Sequence, residues 1–169
     1  WITSMDLTPP SAPQLQTIAT TINAARTAPA VAAPIAQALN IPVIETERLV
    51  LRGPRESDFE AHAAFMSSDR SQFVGGPQDR WNSWKGLLGQ YGHWALRGYG
   101  FWTISDHATE VPLGKCGFIY NDGWSEPELG WHIYASAEGK SIAFEAVSAA
   151  RAHGVTMGLD GVISYIDPA

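Results

Sequence analysis

The sequence predicts an α+β domain: a mixed, mostly antiparallel sheet flanked by helices. Three observations carry that prediction. Strand-like runs at Phe101 to Ser105, Leu113 to Tyr120 and Glu128 to Tyr134 follow one another across the turn-rich stretches DHATEVP and NDGWSEP, the pattern of an antiparallel meander. Helical periodicity occupies two separate places, one before the meander and one after it. At 169 residues, 45% apolar and 17% charged, the chain is long enough for one domain with a real core and too short for two.

The elements follow in order. Residues 1–40 are rich in Ala, Pro and Thr and nearly free of aromatic residues, so they bury little against the cost of ordering them. They form an appendage, with a helix around TIATTINAARTA, and the folded domain spans residues 41–169. VIETERLVLR reads as a first strand with Leu49 and Leu51 on its buried side. Ser57-Asp-Phe-Glu60 has the residues of a capping box and starts a helix whose apolar face is Phe59, Ala63 and Met66, with His62 on its flank. After the turn FVGGP, residues 78–96 place Trp81, Trp84, Leu88, Tyr91 and Ala95 at helical spacing, despite Gly86, Gly89 and Gly92. Beyond the three strands, a helix runs from Ser136 with a stripe of Ile142, Ala143, Ala146, Val147 and Ala150 and a stop at Gly154. GVISYID closes the order as a further buried strand.

Composition narrows the function. A net charge of -6 with no run of Lys or Arg argues against nucleic acid or an anionic membrane surface as partner. No apolar run approaches the ~20 residues of a membrane span, and no signal-like leader opens the chain, so a soluble cytoplasmic protein is expected. The single cysteine, Cys116, excludes an internal disulfide and any CxxC metal site, and its apolar surroundings predict a buried, inert thiol. Trp1 stands where a reading frame would supply methionine, and Met5 is the nearest candidate, so the chain reads as a fragment or as carrying a non-native start.

Gly139-Lys140-Ser141 matches the ending of a nucleoside-triphosphate phosphate loop, and VISYID imitates the strand that ends in a metal-binding aspartate. That loop needs a glycine five positions before Gly139, where this chain has Tyr134, and a meander is the wrong scaffold for it. Nucleotide hydrolysis therefore remains a remote alternative. The more general physics survives: a helix starting near Ala137 presents free backbone amides to a phosphate, and ELGWHIY leads straight into that start. A ligand anchored by its phosphates there would lie along the strand edge, the layout of a coenzyme A site.

ETERLVLRGP, ELGWHIYASAEGKSIAFEA and SYIDPA, in this order over about residues 43–169, resemble the GNAT superfamily of N-acetyltransferases, in the branch of RimJ/RimL-type enzymes that act on ribosomal-protein N-termini. The resemblance implies acetyl-CoA as co-substrate, no metal, and transfer of an acetyl group to a primary amine on a small molecule or a protein N-terminus. The family's coenzyme pattern, Gln/Arg-x-x-Gly-x-Gly/Ala, falls on Glu138, Gly139, Lys140, Ser141, Ile142 and Ala143. Glu138 stands where an amide or cation is usual, and would have to point away from phosphate or pair with Lys140 or Arg151. Ser141 stands where glycine is usual. Backbone amides of Ile133 and its neighbour Tyr134 are implied to polarise the thioester.

Glu128 is implied as the general base, with Glu126 the runner-up and a solvated strand-end charge the bland alternative. His132 reads as a structural histidine and Tyr165 as core, and the general acid has no candidate. The stretch from Trp81 to Trp102 is implied to border the acceptor. A non-catalytic acyl-CoA-binding module is the alternative function. Against the family pattern the domain is C-terminally incomplete, which predicts an uncovered edge at Val162 to Ile166 or a second copy of the chain, a homodimer, to cover it.

Overall fold

The computed structural model describes residues 39–159 and 161–166; the appendage and its helix lie outside them, apart from a turn at 39–40. A five-stranded antiparallel sheet forms in simple sequence order: β1 (Ile44–Glu45), β2 (Leu49–Arg52), β3 (Phe101–Asp106), β4 (Pro112–Ile119) and β5 (Glu128–Ile133). The meander is therefore as expected. The first strand is not: VIETERLVLR folds back on itself as the β1–β2 hairpin, because the Thr46 amide donates to Leu49 O at 2.9 Å and the Leu49 amide to Thr46 Oγ1 at 3.0 Å. A hydroxyl in mid-run closes a turn that alternation alone reads as continuous strand.

Between β2 and β3 lie α1 (Phe59–Met66) and α2 (Arg80–Arg97). The cap of α1 differs from the expected box. A short 3-10 turn at Glu56–Asp58 precedes the helix, and it is the Asp58 carboxylate that accepts the Arg55 amide at 2.9 Å, while Glu60 faces outward and pairs with Arg80 at 2.6 Å. Helix α2 stays continuous through its three glycines, capped by Asp79 on the Asn82 amide at 2.7 Å and ended by Gly98 at φ +75°. Its buried side is Ser83, Leu87 and Trp94, whereas Trp81 (66%) and Leu88 (49%) are exposed. Two interleaved stripes satisfy the helical period in this segment, and residue size favoured the less buried one, in which Trp84 still packs on Phe59 and Tyr91 donates to Pro54 O.

After β5, a 3-10 turn at Ala135–Ala137 and a loop at 138–141 lead into α3 (Ile142–Thr156), which starts later than Ala137 and runs past Gly154. Gly154 is no stop. A Cβ there would come within 2.3 Å of Phe118 Cζ, so glycine permits the helix to touch the sheet; the left-handed residue after the helix is Gly158, at φ +81°. GVISYID forms no buried strand either. It touches β5 through one parallel bridge, Ile163 to Glu128, and Tyr165 and Ile166 are exposed.

The sheet separates two unlike layers. Toward α3 it presents Leu49, Leu51, Trp102, Ile104, Cys116, Phe118 and Leu129, packed with Ile142, Ala146 and Ala150 as an apolar core. Burial there pushes the Cys116 thiol up to about 12, so it is inert as expected. The alternate strand positions, Arg52, Thr103, Ser105 and Lys115, are equally buried but polar.

Candidate active site

The site is built on the free edge of β5. Pairing of Glu128, Gly130 and His132 with β4, and of the Tyr134 amide with Leu113 O at 2.8 Å, turns the intervening residues' backbone groups the other way. Leu129 uses that direction: its amide donates to Ile163 O at 2.8 Å, and its carbonyl accepts Ser164 Oγ at 2.7 Å. Among the described residues no further bridge follows it, so the amides of Trp131 and Ile133 face an edge that those residues leave open. The edge pair is thus Trp131 and Ile133 rather than Ile133 and Tyr134, whose side chain is buried against Phe65 and Met66.

That edge runs into the 138–141 loop. Gly139 at φ +72° and Ser141 at φ +57° are both left-handed, and the first-turn amides of α3, on Ile142, Ala143 and Phe144, have no partner within the helix. Ser141 gives no side-chain cap. Lys140 Nζ donates to Ser136 O at 2.7 Å. Glu138 pairs with neither Lys140 nor Arg151; Arg70 takes it at 2.8 Å, an ion pair from the segment after α1 that sequence spacing does not reveal. Donor amides, a positive dipole end and a carboxylate already held by an arginine suit the pyrophosphate of coenzyme A.

Beside the edge lies a cavity of about 970 Å³ between the polar face of the sheet, α1, α2 and residues 164–166. Glu128, Gly130 and His132 line it from β5. Glu128 is half-buried, and its Oε1 accepts the Tyr165 amide at 3.2 Å; Glu126, in the preceding turn, is exposed and does not line the cavity. His132 stacks on Phe65 with ring centroids 4.4 Å apart, and its Nε2 is buried with no partner among the described residues. His62 also lines the cavity beside the Ser83 backbone, with no hydrogen bond of normal geometry to either ring nitrogen among the described residues. Burial, reinforced by the nearby Lys115 charge, pushes His62 down to about 4 and His132 down to about 3, so both are neutral near pH 7.

Below this floor, Asp58 takes Arg52 through two bonds of 2.8 Å and Thr103 Oγ1 at 2.9 Å. Burial alone would raise the Asp58 carboxyl, but the Arg52 guanidinium and these donors hold it below the usual range.

The expected aromatic wall is displaced. Helix α2 does border the cavity, but through Gly86, Gly89, Gln90 and His93; Trp84 packs edge-on against Phe59, and Trp94 and Trp102 belong to the apolar core. The tryptophans at the cavity are Trp124 and Trp131. Tyr165, expected in the core, is exposed at the cavity rim with its ring edge-on to Trp124. The His132 position was legible, since it shares strand parity with Glu128; Gln90 and Trp124 carry no pattern that singles them out.

An antiparallel sheet with an open edge strand feeding a phosphate-suited helix start is the layout of a coenzyme A-dependent acyltransferase. Residues 48–169 match the family described as acetyltransferase (GNAT) domain, and the chain belongs to that family. No curated protein matches it. Among solved structures it is similar to an acetyltransferase from Agrobacterium tumefaciens, with 36% identity over 76% of this chain and 75% of the other and a TM-score of 0.71. It shares its fold with an acetyl transferase from Salmonella typhimurium that modifies the N-terminal serine of 50S ribosomal subunit protein L7/L12, at 18% identity, TM-score 0.56 and coverage of 69% and 70%. It also shares the fold of the microcin C7 self-immunity acetyltransferase in complex with acetyl-CoA and AMP, at 15% identity, TM-score 0.51 and coverage of 70% and 67%.

Proposed function

We propose that this protein transfers the acetyl group of acetyl-CoA to a primary amine, on a small molecule or a protein N-terminus, by direct attack. The observation that carries this reading is the β5 edge, which leaves its pairing after Leu129 and leads into the left-handed 138–141 loop and the free amides of α3. Residues 139–143 would hold the pyrophosphate through backbone amides, with Lys140 adding charge and Arg70 neutralising Glu138. The Trp131 and Ile133 amides would donate to the thioester carbonyl oxygen, where charge develops.

Acetyl-CoA supplies the acyl group and a thiolate leaving group: a C–N bond forms, the C–S bond breaks, and the amine's proton leaves to a base. Glu128, at the cavity end of β5, is the base in this reading. Four residue steps, ~13 Å along the strand, separate it from His132, so a chain of waters would carry the proton when the amine sits against the edge amides. His132 and His62, held neutral, add no positive charge that would repel an ammonium substrate entering the cavity. The likeness to enzymes of the RimL type and the aromatic cavity support a protein N-terminus as one class of acceptor.

Calorimetry with acetyl-CoA, coenzyme A and ATP–magnesium, followed by thiol release in the presence of amines, tests the proposal. Micromolar binding of both coenzyme forms with amine-dependent thiol release is expected. Binding of ATP but not of coenzyme A would sink the reading, and coenzyme binding without release for any amine would make the protein a non-catalytic acyl-CoA-binding module.

A further inference from the structure

The polar layer contains a cation that the proposed chemistry does not use. Lys115 is 0% exposed, sits opposite His132 in the β4–β5 register, and donates from Nζ to Gln90 Oε1 at 2.7 Å. An ammonium has donors only, so it dictates which end of the Gln90 amide faces it: the oxygen turns toward Lys115 and the NH2 group away. Gln90 lines the cavity, and among the described residues no group accepts from its Nε2. The arrangement is a donor aimed by a buried charge. Burial presses Lys115 down to about 7 while the Asp58 carboxylate beneath the cavity floor opposes that fall, so the group is an ammonium below about pH 7, and above it the neutral amine still donates to Gln90 Oε1.

We infer that Gln90 is a specificity-determining residue of the acetyl-transfer site, whose amide N–H donates to a neutral carbonyl oxygen next to the acceptor amine, and that Lys115 is the positioning residue that holds it. The inference rests on the cavity being the acceptor pocket of the proposed reaction. The rest of the lining agrees with it. Phe73, Phe101, Trp124 and Tyr165 offer apolar surface to a side chain, and among the described residues Glu128 offers the one carboxylate to the amine. Among the described residues no Lys or Arg lines the cavity, and Lys115 beneath it is taken by Gln90, so a carboxylate beside the amine would find no free counter-charge there. The acceptor class that fits is an α-amino carbonyl compound with an apolar side chain and a blocked acid, as an amino-acid amide or a peptide's first residue provides.

A matched set of amines tests this: phenethylamine, phenylalaninamide and phenylalanine, which share one skeleton and differ in the group beside the amine. Binding is measured calorimetrically on the coenzyme A-loaded protein and turnover with acetyl-CoA. Phenylalaninamide is expected to exceed phenethylamine about tenfold in affinity and kcat/KM, with phenylalanine the poorest of the three. A phenylalanyl tripeptide, assayed beside them, separates a free amide from a peptide end as the source of the carbonyl; preference for either over phenethylamine supports the assignment.

Gln90→Glu is the discriminating variant, because a carboxylate keeps Lys115 its partner and removes the N–H. The preference should collapse toward parity through a raised KM for phenylalaninamide, with the melting temperature held. Gln90→Leu should do the same, and Lys115→Met should reduce the preference a few-fold by releasing the amide to rotate. Wild type without a preference, including no binding of either amine, overturns the inference, and so does a Gln90→Glu protein that retains the preference. A wild type that prefers phenylalaninamide in binding but acetylates no amine leaves Gln90 assigned and breaks the transfer reading instead.

Discussion

The two faces of the sheet are buried to the same depth and held together by different physics. Toward α3, Leu51, Trp102, Cys116 and Phe118 are each 0% exposed and interlock with a helix close enough to need Gly154. Toward α1 and α2, Thr103 and Lys115 are also 0% exposed and Arg52 is 6% exposed, so that layer is held by polar pairings, Asp58 with Arg52 and Thr103 and Lys115 with Gln90. An apolar layer tolerates any pH and offers no chemistry. A polar layer can aim charges and amides at a cavity, and its stability then depends on protonation. The difference bears on the candidate site, which lies on the face where burial is costly.

Breaking the central ion pair tests this contrast most severely. Asp58→Ala leaves Arg52 buried with no counter-charge and should cost about 3–5 kcal/mol in urea unfolding. Phe118→Ala should cost a similar ~3–5 kcal/mol by opening a cavity on the other face, but by an amount that does not change with pH.

The pH profile is the next largest effect. The folded Lys115 is pressed to about 7 from 10.5, so between these values the unfolded chain binds more protons and stability should rise with pH, on the order of a few kcal/mol. Lys115→Met should flatten that rise while the acid side persists. On that side His62 and His132, at about 4 and about 3 against 6.5 when unfolded, should make stability fall as pH drops below 6.5. A wild-type curve flat from pH 7 to 10 would show that the Lys115 ammonium is fully compensated.

Glu128→Gln should lower turnover about a hundredfold and leave acetyl-CoA affinity within a factor of two, because the side chain lines the acceptor cavity rather than the 138–141 loop. Equal pH–rate profiles for wild type and variant would remove Glu128 as base.

The smallest effects sharpen the coenzyme end. Ser141→Gly relieves a left-handed residue at φ +57° and should stabilise by up to about 1 kcal/mol in thermal unfolding, whereas Ser141→Val should destabilise. Glu138→Gln frees Arg70 beside the loop and should tighten coenzyme A a few-fold in calorimetry. A weaker complex would mean that the Arg70–Glu138 pair shapes the loop.

Much of the fold was legible because it rests on local signals. The three meander strands were readable to within a residue or two, since alternation and turn-rich connections are written into neighbouring positions. The errors fall where two local readings compete. Thr46 folds one apparent strand into a hairpin, and α2 carries a half-exposed stripe of large residues beside its buried one. Gly154 has the composition of a stop and the role of a contact.

Of the candidate site, sequence alone determined the parts that lie on one segment: Glu128 and His132 on one face of β5, and the loop from Glu138 to Ala143 that follows it. Periodicity and backbone geometry place such residues with no knowledge of the rest of the chain. Only the tertiary structure decided that Arg70 neutralises Glu138, that Trp124 and Tyr165 rim the cavity in place of Trp81 and Trp84, and that Lys115 aims Gln90. Those pairings join residues 25 to 68 positions apart. A hydrogen bond between distant segments depends on how helices and sheet are packed, and no short-range pattern in the chain encodes that.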